Sequence, residues 1–167
     1  SGYVRVFEYS SNTWSQVGED MSGNPTSTSQ FGKGIRISAD GTIVVISGSS
    51  SVIIYEYSGG SWTLRDQLTS GETTFGYSAD INSDASLIAI GTWGDNSNAG
   101  KIQLYYWNGS DYAACTSEIV GSANDKMGKA VSINYDATLA DGATIISGME
   151  NFNSNDGRVS VYKFSGT

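Results

Sequence analysis

The chain has 167 residues, with 9 Lys and Arg against 17 Asp and Glu, for a formal net charge of -8. This charge repels phosphate backbones and anionic membrane surfaces, so we expect no nucleic acid partner. Histidine is absent, which excludes Ser-His-Asp and Cys-His catalysis within the chain. No apolar run approaches the roughly 18 residues of a membrane span, so we expect no membrane insertion.

Composition also predicts where the protein acts. Gly, Ser, Thr, Asn and Asp are abundant while only 16% of residues are charged, which favours an extracellular or cell-surface protein. No signal-peptide pattern opens the chain, so we expect a signal peptide to have been removed or to lie further upstream. Asn108 begins an Asn-Gly-Ser sequon and is a glycosylation candidate, although Asn-Gly is also a preferred hairpin turn. The single cysteine, Cys115, is interpreted as a small apolar residue that fills space in a strand.

Taken in chain order, one strand pattern occurs four times. Each copy alternates apolar residues and ends in aromatic ones: Gly2–Tyr9, Val52–Tyr57, Gly100–Trp107 and Gly157–Phe164. A polar turn follows each of the first three copies, and after it comes an aromatic residue: Trp14, Trp62 and Tyr112. The pattern predicts a strand that enters a hairpin. In the last copy we expect Val159 and Val161 to face a sheet interior, and Tyr162 and Phe164 to await an outer strand.

A second pattern occurs between these hairpins. It opens at Phe31-Gly32, Phe75-Gly76 and Met127-Gly128, and it predicts two strands around a tight turn. Asp40, Asp84 and Asp136 are the turn residues, although Asp141 could serve instead in the third unit, whose register stays open. The apolar runs that follow are expected between packed sheets: Ile43–Ile46, Leu87–Ile90 and Ile145-Ile146.

Together the two patterns give four strands in about 50 residues, which predicts an all-β fold of four-stranded antiparallel β-propeller blades. We expect one repeat domain over residues 1–167, with units at 1–24 (partial), 31–70, 75–120 and 127–167 (partial). These make about three blades, whereas a propeller needs about four to eight to close. The chain is therefore expected to be a segment of a longer repeat protein, or a partial ring that copies of itself complete.

The Phe-Gly opening, the Asp turn, the apolar strand that ends in Gly and the Gly-x-Val-x-Val-Tyr hairpin resemble FG-GAP and related WD-like β-propeller repeats. The resemblance covers nearly the whole chain and implies a secreted or cell-surface protein. Integrin-type members carry a calcium loop, to which Asp80, Asn82 and Asp84 correspond here as candidate metal ligands. Ala85 occupies the position where the calcium loop has Gly.

Two long loops are rich in side-chain oxygen and are candidate ligand-binding segments, for a Ca²⁺ ion or another ligand. Their candidate residues are Trp93, Asp95 and Asn96 in the first loop, and Asn153, Asn155 and Asp156 in the second. Trp93 lies outside the repeated hairpins and is the expected exposed recognition residue. The alternative interpretation of both loops is an ordinary solvated turn.

These observations favour a non-catalytic structural or protein-interaction module, whose partners are other protein segments or copies of itself. A carbohydrate-binding, lectin-like propeller module is the alternative, because loop aromatic rings stack on sugars. An enzyme whose site is completed by missing blades is a third hypothesis. No residue is assigned a catalytic role.

Overall fold

The computed structural model describes residues 2–23, 30–48, 50–152 and 156–164. Within these residues, regular structure is β-strand apart from one short turn of helix, which confirms the prediction of an all-β chain. No helix there is long and apolar enough to cross a membrane. The elements, in chain order, are β1 (Tyr3–Ser10), β2 (Thr13–Ser22), β3 (Gly34–Ile37), β4 (Ile43–Ser47), β5 (Ser51–Ser58), β6 (Ser61–Thr69), β7 (Phe75–Ile81), β8 (Leu87–Thr92), α1 (Asp95–Asn98), β9 (Lys101–Trp107), β10 (Tyr112–Val120), β11 (Ala130–Ile133), β12 (Ala143–Met149) and β13 (Arg158–Phe164).

The described strands form four antiparallel sheets, in each of which a strand pairs with its neighbour in sequence. Sheet I contains β1 and β2, sheet II contains β3 to β6, sheet III contains β7 to β10, and sheet IV contains β11 to β13. Sheets that are consecutive in the chain are also adjacent in space, because each consecutive pair shares a core cluster.

The tight turns between the first two strands of sheets II and III are closed by polar side chains. Asp40 accepts hydrogen bonds from the backbone N–H of Thr42 and from the hydroxyl of Ser38. Asn82 takes the place of Ser38 in the next sheet, where it is buried and accepts the N–H of Leu87. The turns bring strands β4 and β8 back through the interior, and every residue of both strands is buried.

In sheet IV this turn is longer, because extra residues separate the two strands. Asn134 accepts the backbone N–H of Thr144 and so closes the strand pair. Asp141 accepts the hydroxyl of Thr138 within the added loop. The register that the sequence left open is therefore set by Asn134, and Asp141 belongs to the insertion.

Apolar side chains fill the three spaces between consecutive sheets. One cluster joins sheets I and II through residues such as Met21 and Ile46. A second joins sheets II and III through residues such as Ile54 and Ile88, and the third joins sheets III and IV. Each sheet therefore contributes one face to each neighbour, as a sheet with two apolar faces must.

Hydrogen bonds between sheets run along their first strands, β3, β7 and β11. At the turns, Ala39 donates its N–H to the carbonyl of Ser83 at 2.7 Å, and Ser83 donates its own to the carbonyl of Tyr135 at 2.8 Å. Within the strands, the carboxylate of Asp80 accepts Arg36 Nε at 2.6 Å and Ser132 Oγ at 2.8 Å. These contacts fix the position of each sheet relative to the next.

Candidate functional site

The seam between sheets II and III shows what a complete contact between two sheets contains. Sheet II contributes aliphatic residues of β5, including Val52 and Ile54, which are both 0% exposed. Sheet III contributes Tyr112 to the same cluster, with Tyr105 and Trp107 packed against its edge. In this part of the seam an aliphatic face packs on an aromatic hairpin, beside further aliphatic residues of sheet III such as Ile88 and Ile90.

At two seams the backbone N–H of the aromatic residue donates a hydrogen bond to an acidic side chain. Asp66 accepts the backbone N–H of Tyr112 at 2.7 Å, across the seam between sheets II and III. Glu19 accepts the backbone N–H of Trp62 at 3.0 Å, across the seam between sheets I and II. The Trp62 indole also donates to the carbonyl of Val17 at 2.9 Å. The outermost strand of one sheet thus orients the hairpin of the next.

Strand pairing identifies equivalent positions in the sheets. The positions directly opposite each other across the second and third strands are Ser47 and Val52 in sheet II, Gly91 and Ile102 in sheet III, and Gly148 and Val159 in sheet IV. By the same register, Val161 of sheet IV corresponds to Ile54 and Leu104. Ile146 corresponds to Val45 and Ala89.

The outer face of sheet IV, defined by Ile146, Val159 and Val161, is exposed. These side chains are 43%, 71% and 64% accessible, respectively. Their equivalents in sheets II and III are all buried: Val45, Ala89, Val52, Ile102, Ile54 and Leu104. The orientation expected for Val159 and Val161 was wrong in this respect, and Tyr162 and Phe164 instead pack against the cluster between sheets III and IV. The outer face of sheet IV therefore matches the aliphatic half of the seam between sheets II and III.

The outer face of sheet I, defined by Phe7, Tyr9 and Trp14, matches the aromatic half of that seam. Tyr9 and Trp14 are 56% and 66% exposed, with ring centroids 5.1 Å apart at an interplanar angle of 47°. Tyr57 and Trp62 form the same pair at 5.1 Å and 46°, and there Trp62 is only 5% exposed. The ring geometry of a seam is therefore already present on sheet I.

The predicted recognition residue Trp93 lies at the end of strand β8 and is half-buried rather than exposed. Its ring packs edge-on against Tyr77, with centroids 5.9 Å apart, and its buried Nε1 atom has no hydrogen-bond partner. Asp95 follows in the same loop and pairs with Lys101 at 3.5 Å, whereas the side chain of Asn96 is exposed. The indole therefore packs mainly against protein.

The loop that carries Asp95 and Asn96 is a left-handed turn. Residues Asn96, Ser97 and Asn98 have φ of 45°, 58° and 60°, values that asparagine tolerates better than most residues. The carbonyl of Asn98 accepts the backbone N–H of Lys126 at 2.8 Å, and Asn124 donates to Ser97 in the same way. The asparagine-rich sequence thus shapes a loop that is fastened to the connection between sheets III and IV.

The second predicted ligand-binding loop follows strand β12. Asn153 and Asn155 lie outside the described residues, and Asp156 is exposed and donates its backbone N–H to Phe152. At the start of this loop, hydrogen bonds from Lys129 and Lys126 lower the pKa of Glu150. The same two ammonium groups lie 5.7 and 5.6 Å from the centroid of the Trp93 ring and so connect the two loops.

The three candidate calcium ligands have separate structural roles. Asp80 accepts hydrogen bonds from the neighbouring sheets on both sides, and Asn82 closes the turn of sheet III. Asp84 accepts the backbone N–H of Ser86; burial opposes its ionisation, but the hydrogen bonds of Ser86 prevail and lower its pKa. Among the described residues, no three His, Cys, Asp or Glu side chains are grouped closely enough to hold a metal ion.

Two further predicted residues lie in sheet III. Asn108 is exposed at the turn between β9 and β10, where its side-chain oxygen accepts the N–H groups of Ser110 and Asp111. Cys115 is buried, and burial raises the pKa of its thiol. The thiol is therefore held in its neutral form, which matches a packing role.

No protein-family model matches the sequence, and no curated protein matches it. The functional residues of this chain are therefore found by comparing its own sheets with one another. Sequence reasoning did not single out the aromatic face of sheet I, because Phe7, Tyr9 and Trp14 fit the same pattern as Tyr55, Tyr57 and Trp62, which pack in the cluster between sheets I and II. Only their greater exposure in the folded structure distinguishes them from those residues.

Proposed function

We propose that this chain is a non-catalytic structural and protein-interaction module of β-propeller repeats, which acts outside the cell or at its surface. The observation that carries the proposal is the exposure of Val159 and Val161, whose equivalents in the other sheets are buried in seams. Exposed apolar area of this kind, on a face already shaped for packing, is typical of an interaction surface.

The partner in this proposal is a second copy of the chain. The outer face of sheet IV is aliphatic and the outer face of sheet I is aromatic, and the seam between sheets II and III combines those two surfaces. One copy therefore carries both complementary halves at its opposite ends. The contact is heterologous, so successive copies join head to tail and close into a ring or continue as an open stack.

Sedimentation velocity over a range of protein concentrations tests this assembly. We expect species at multiples of 17.7 kDa. Val161→Asp and Trp14→Asp should each prevent assembly, because each places a charge in one half of the seam. Leu64→Asp is the matched control, since Leu64 is 58% exposed on the outer strand of sheet II, away from both faces.

Mixing the two defective variants gives the decisive result. The Val161→Asp copy retains its aromatic face and the Trp14→Asp copy retains its aliphatic face, so the mixture should form a dimer and stop there. A wild-type chain that is monomeric at every concentration, or variants that assemble like the wild type, would contradict the proposal.

Carbohydrate binding is the second candidate, and the exposed rings of Tyr9 and Trp14 favour it. Aromatic rings on a sheet face can stack on sugar rings as well as on protein. Glycan-array binding that is lost in Trp14→Ala but not in Trp93→Ala would place the sugar on sheet I. Loss in Trp93→Ala alone would place it at the loops, and no glycan binding would dismiss this candidate.

A further inference from the structure

The turn between β9 and β10 carries the one asparagine of the sequence that is followed by glycine. Asn108, Gly109 and Ser110 are all exposed in this turn. The carbonyl of Asp111 accepts the backbone N–H of Asn108 at 3.0 Å, which closes the turn. The turn belongs to sheet III, which has a neighbouring sheet on each side, so residues from the middle of the chain set its surroundings.

Three donors converge on the side-chain oxygen of Asn108. The backbone N–H groups of Ser110 and Asp111 lie 2.9 and 3.1 Å from Oδ1, and the Ser110 hydroxyl lies 3.0 Å from it. Donors at these distances stabilise the negative charge that develops on a carbonyl oxygen when its carbon is attacked. The turn therefore polarises the amide carbon Cγ of Asn108.

The backbone nitrogen of Gly109 is the nucleophile next to this carbon. Because Oδ1 contacts N–H groups further along the chain, the Asn108 side chain folds forward over the Gly109 peptide. Among the described residues, no backbone carbonyl accepts the Gly109 N–H. Apart from the chain neighbours of Gly109, no atom lies within 4 Å of the place that a Cβ would take there. Glycine also leaves its nitrogen uncovered by a side chain.

We propose that Asn108 is a site of spontaneous deamidation, which the folded turn promotes. The Gly109 nitrogen loses its proton to solvent and bonds to Cγ, the Cγ–Nδ2 bond breaks, and Nδ2 takes a proton from solvent and leaves as ammonia. Water then opens the cyclic imide at either carbonyl and gives aspartate or isoaspartate. The net change is uptake of water, release of ammonia and an added negative charge.

The added charge alters the turn that produces it. In the unmodified chain Nδ2 of Asn108 donates a hydrogen bond to Oδ1 of Asp111. After deamidation an oxygen takes the place of Nδ2, so two carboxylates face each other and repel. The next residue, Tyr112, donates its N–H to Asp66 at 2.7 Å and packs in the cluster between sheets II and III. Deamidation therefore loosens this seam with time.

Peptide mapping by mass spectrometry measures the conversion during incubation in slightly alkaline buffer. The protein is produced in a host that does not glycosylate, because a glycan on Nδ2 would compete with the reaction. We expect Asn108 to convert at least about tenfold faster than Asn98, which is also exposed but is followed by alanine. In the folded protein Ser110→Ala should slow the conversion of Asn108 severalfold, since it removes one of the three donors.

The same incubation in urea separates the effect of the folded turn from that of its sequence. We expect conversion of Asn108 to be faster in the folded protein, whereas wild type and Ser110→Ala should convert at the same rate in urea. Slower conversion in the folded protein than in urea would overturn the proposal, and so would a folded Ser110→Ala that converts like the wild type. Circular dichroism checks that this variant is folded, as expected for an exposed position.

Ion exchange separates the modified chains, because they carry an added charge, and amide hydrogen exchange then tests the seam. The Tyr112 amide should exchange severalfold faster in the modified chains than in unmodified ones, and Asn108→Asp should reproduce this increase. Asn12→Asp is the matched control, since it places the same charge in the exposed turn of sheet I. Unchanged exchange of the Tyr112 amide would overturn the link between this modification and the seam.

Discussion

Val52→Ala and Val159→Ala compare the same substitution at equivalent positions of a filled seam and of the exposed outer face of sheet IV. Val52 is 0% exposed and Val159 is 71% exposed. Removing the valine methyl groups from a core costs about 1.6 kcal/mol in transfer free energy, and the cavity raises this to roughly 2–3 kcal/mol. Less than a third of the Val159 side chain is buried, so the expected loss in the free energy of unfolding is roughly 0.5 kcal/mol. The lower strand propensity of alanine affects both variants alike.

Urea denaturation at low protein concentration measures both losses, provided that the slope of the transition is unchanged. At higher concentration the cost of Val159→Ala should grow, because assembly stabilises the folded state by mass action. Equal losses for the two variants in dilute solution would show that the outer face of sheet IV is not bare in the monomer. A loss below about 0.5 kcal/mol at Val52 would refute the account of the seams.

Three other predictions concern buried and charged groups. Tyr112→Phe should cost about 1–2 kcal/mol in thermal or urea denaturation, because the hydroxyl donates to the buried carbonyl of Ala85 at 2.5 Å. Burial also raises the pKa of Tyr112 from 10.0 to about 12, so the stability of the folded state should fall as pH rises through that interval, and Tyr112→Phe should remove this alkaline loss. Hydrogen bonds from Ser38 and Thr42 lower the pKa of Asp40. The ionised carboxylate therefore stabilises the folded state above the unfolded-state pKa of about 4, and this stabilisation is lost as pH falls further. In a pH titration of the free energy of unfolding, Asp40→Asn should show a shallower decline in acid. Asp80→Ala should cost about 2–3 kcal/mol, since it removes the acceptor shared by two neighbouring sheets, and an effect within error would exclude that role.

The repeat pattern of the sequence predicted the secondary structure well because each strand carries its own signals. The alternation before Tyr57 and Trp107 and the polar turns after them are local, so they specify hairpins without knowledge of distant residues. Because these signals are local, the turn of sheet IV was ambiguous. Both Asp136 and Asp141 suit a turn, and only the pairing of Asn134 with Thr144 decides between them.

The orientation of the last strand could not be read from its sequence. Alternation shows that Val159 and Val161 share one face and that Tyr162 and Phe164 share the other. Which face is covered depends on the sheet beside it, and both faces are apolar enough to be buried. Trp93 presented a similar difficulty, because its neighbour Tyr77 comes from a different strand and becomes adjacent only when the sheet forms.

The turn contacts that link Ala39, Ser83 and Tyr135 have a consequence for how this protein can change over time. Both hydrogen bonds join backbone atoms, so the spacing of the sheets does not depend on the identity of these side chains. Alanine, serine and tyrosine already occupy the three equivalent positions. Substitutions there can accumulate without moving one sheet relative to the next. Descendants of such a chain would keep its geometry long after their sequences had ceased to resemble one another.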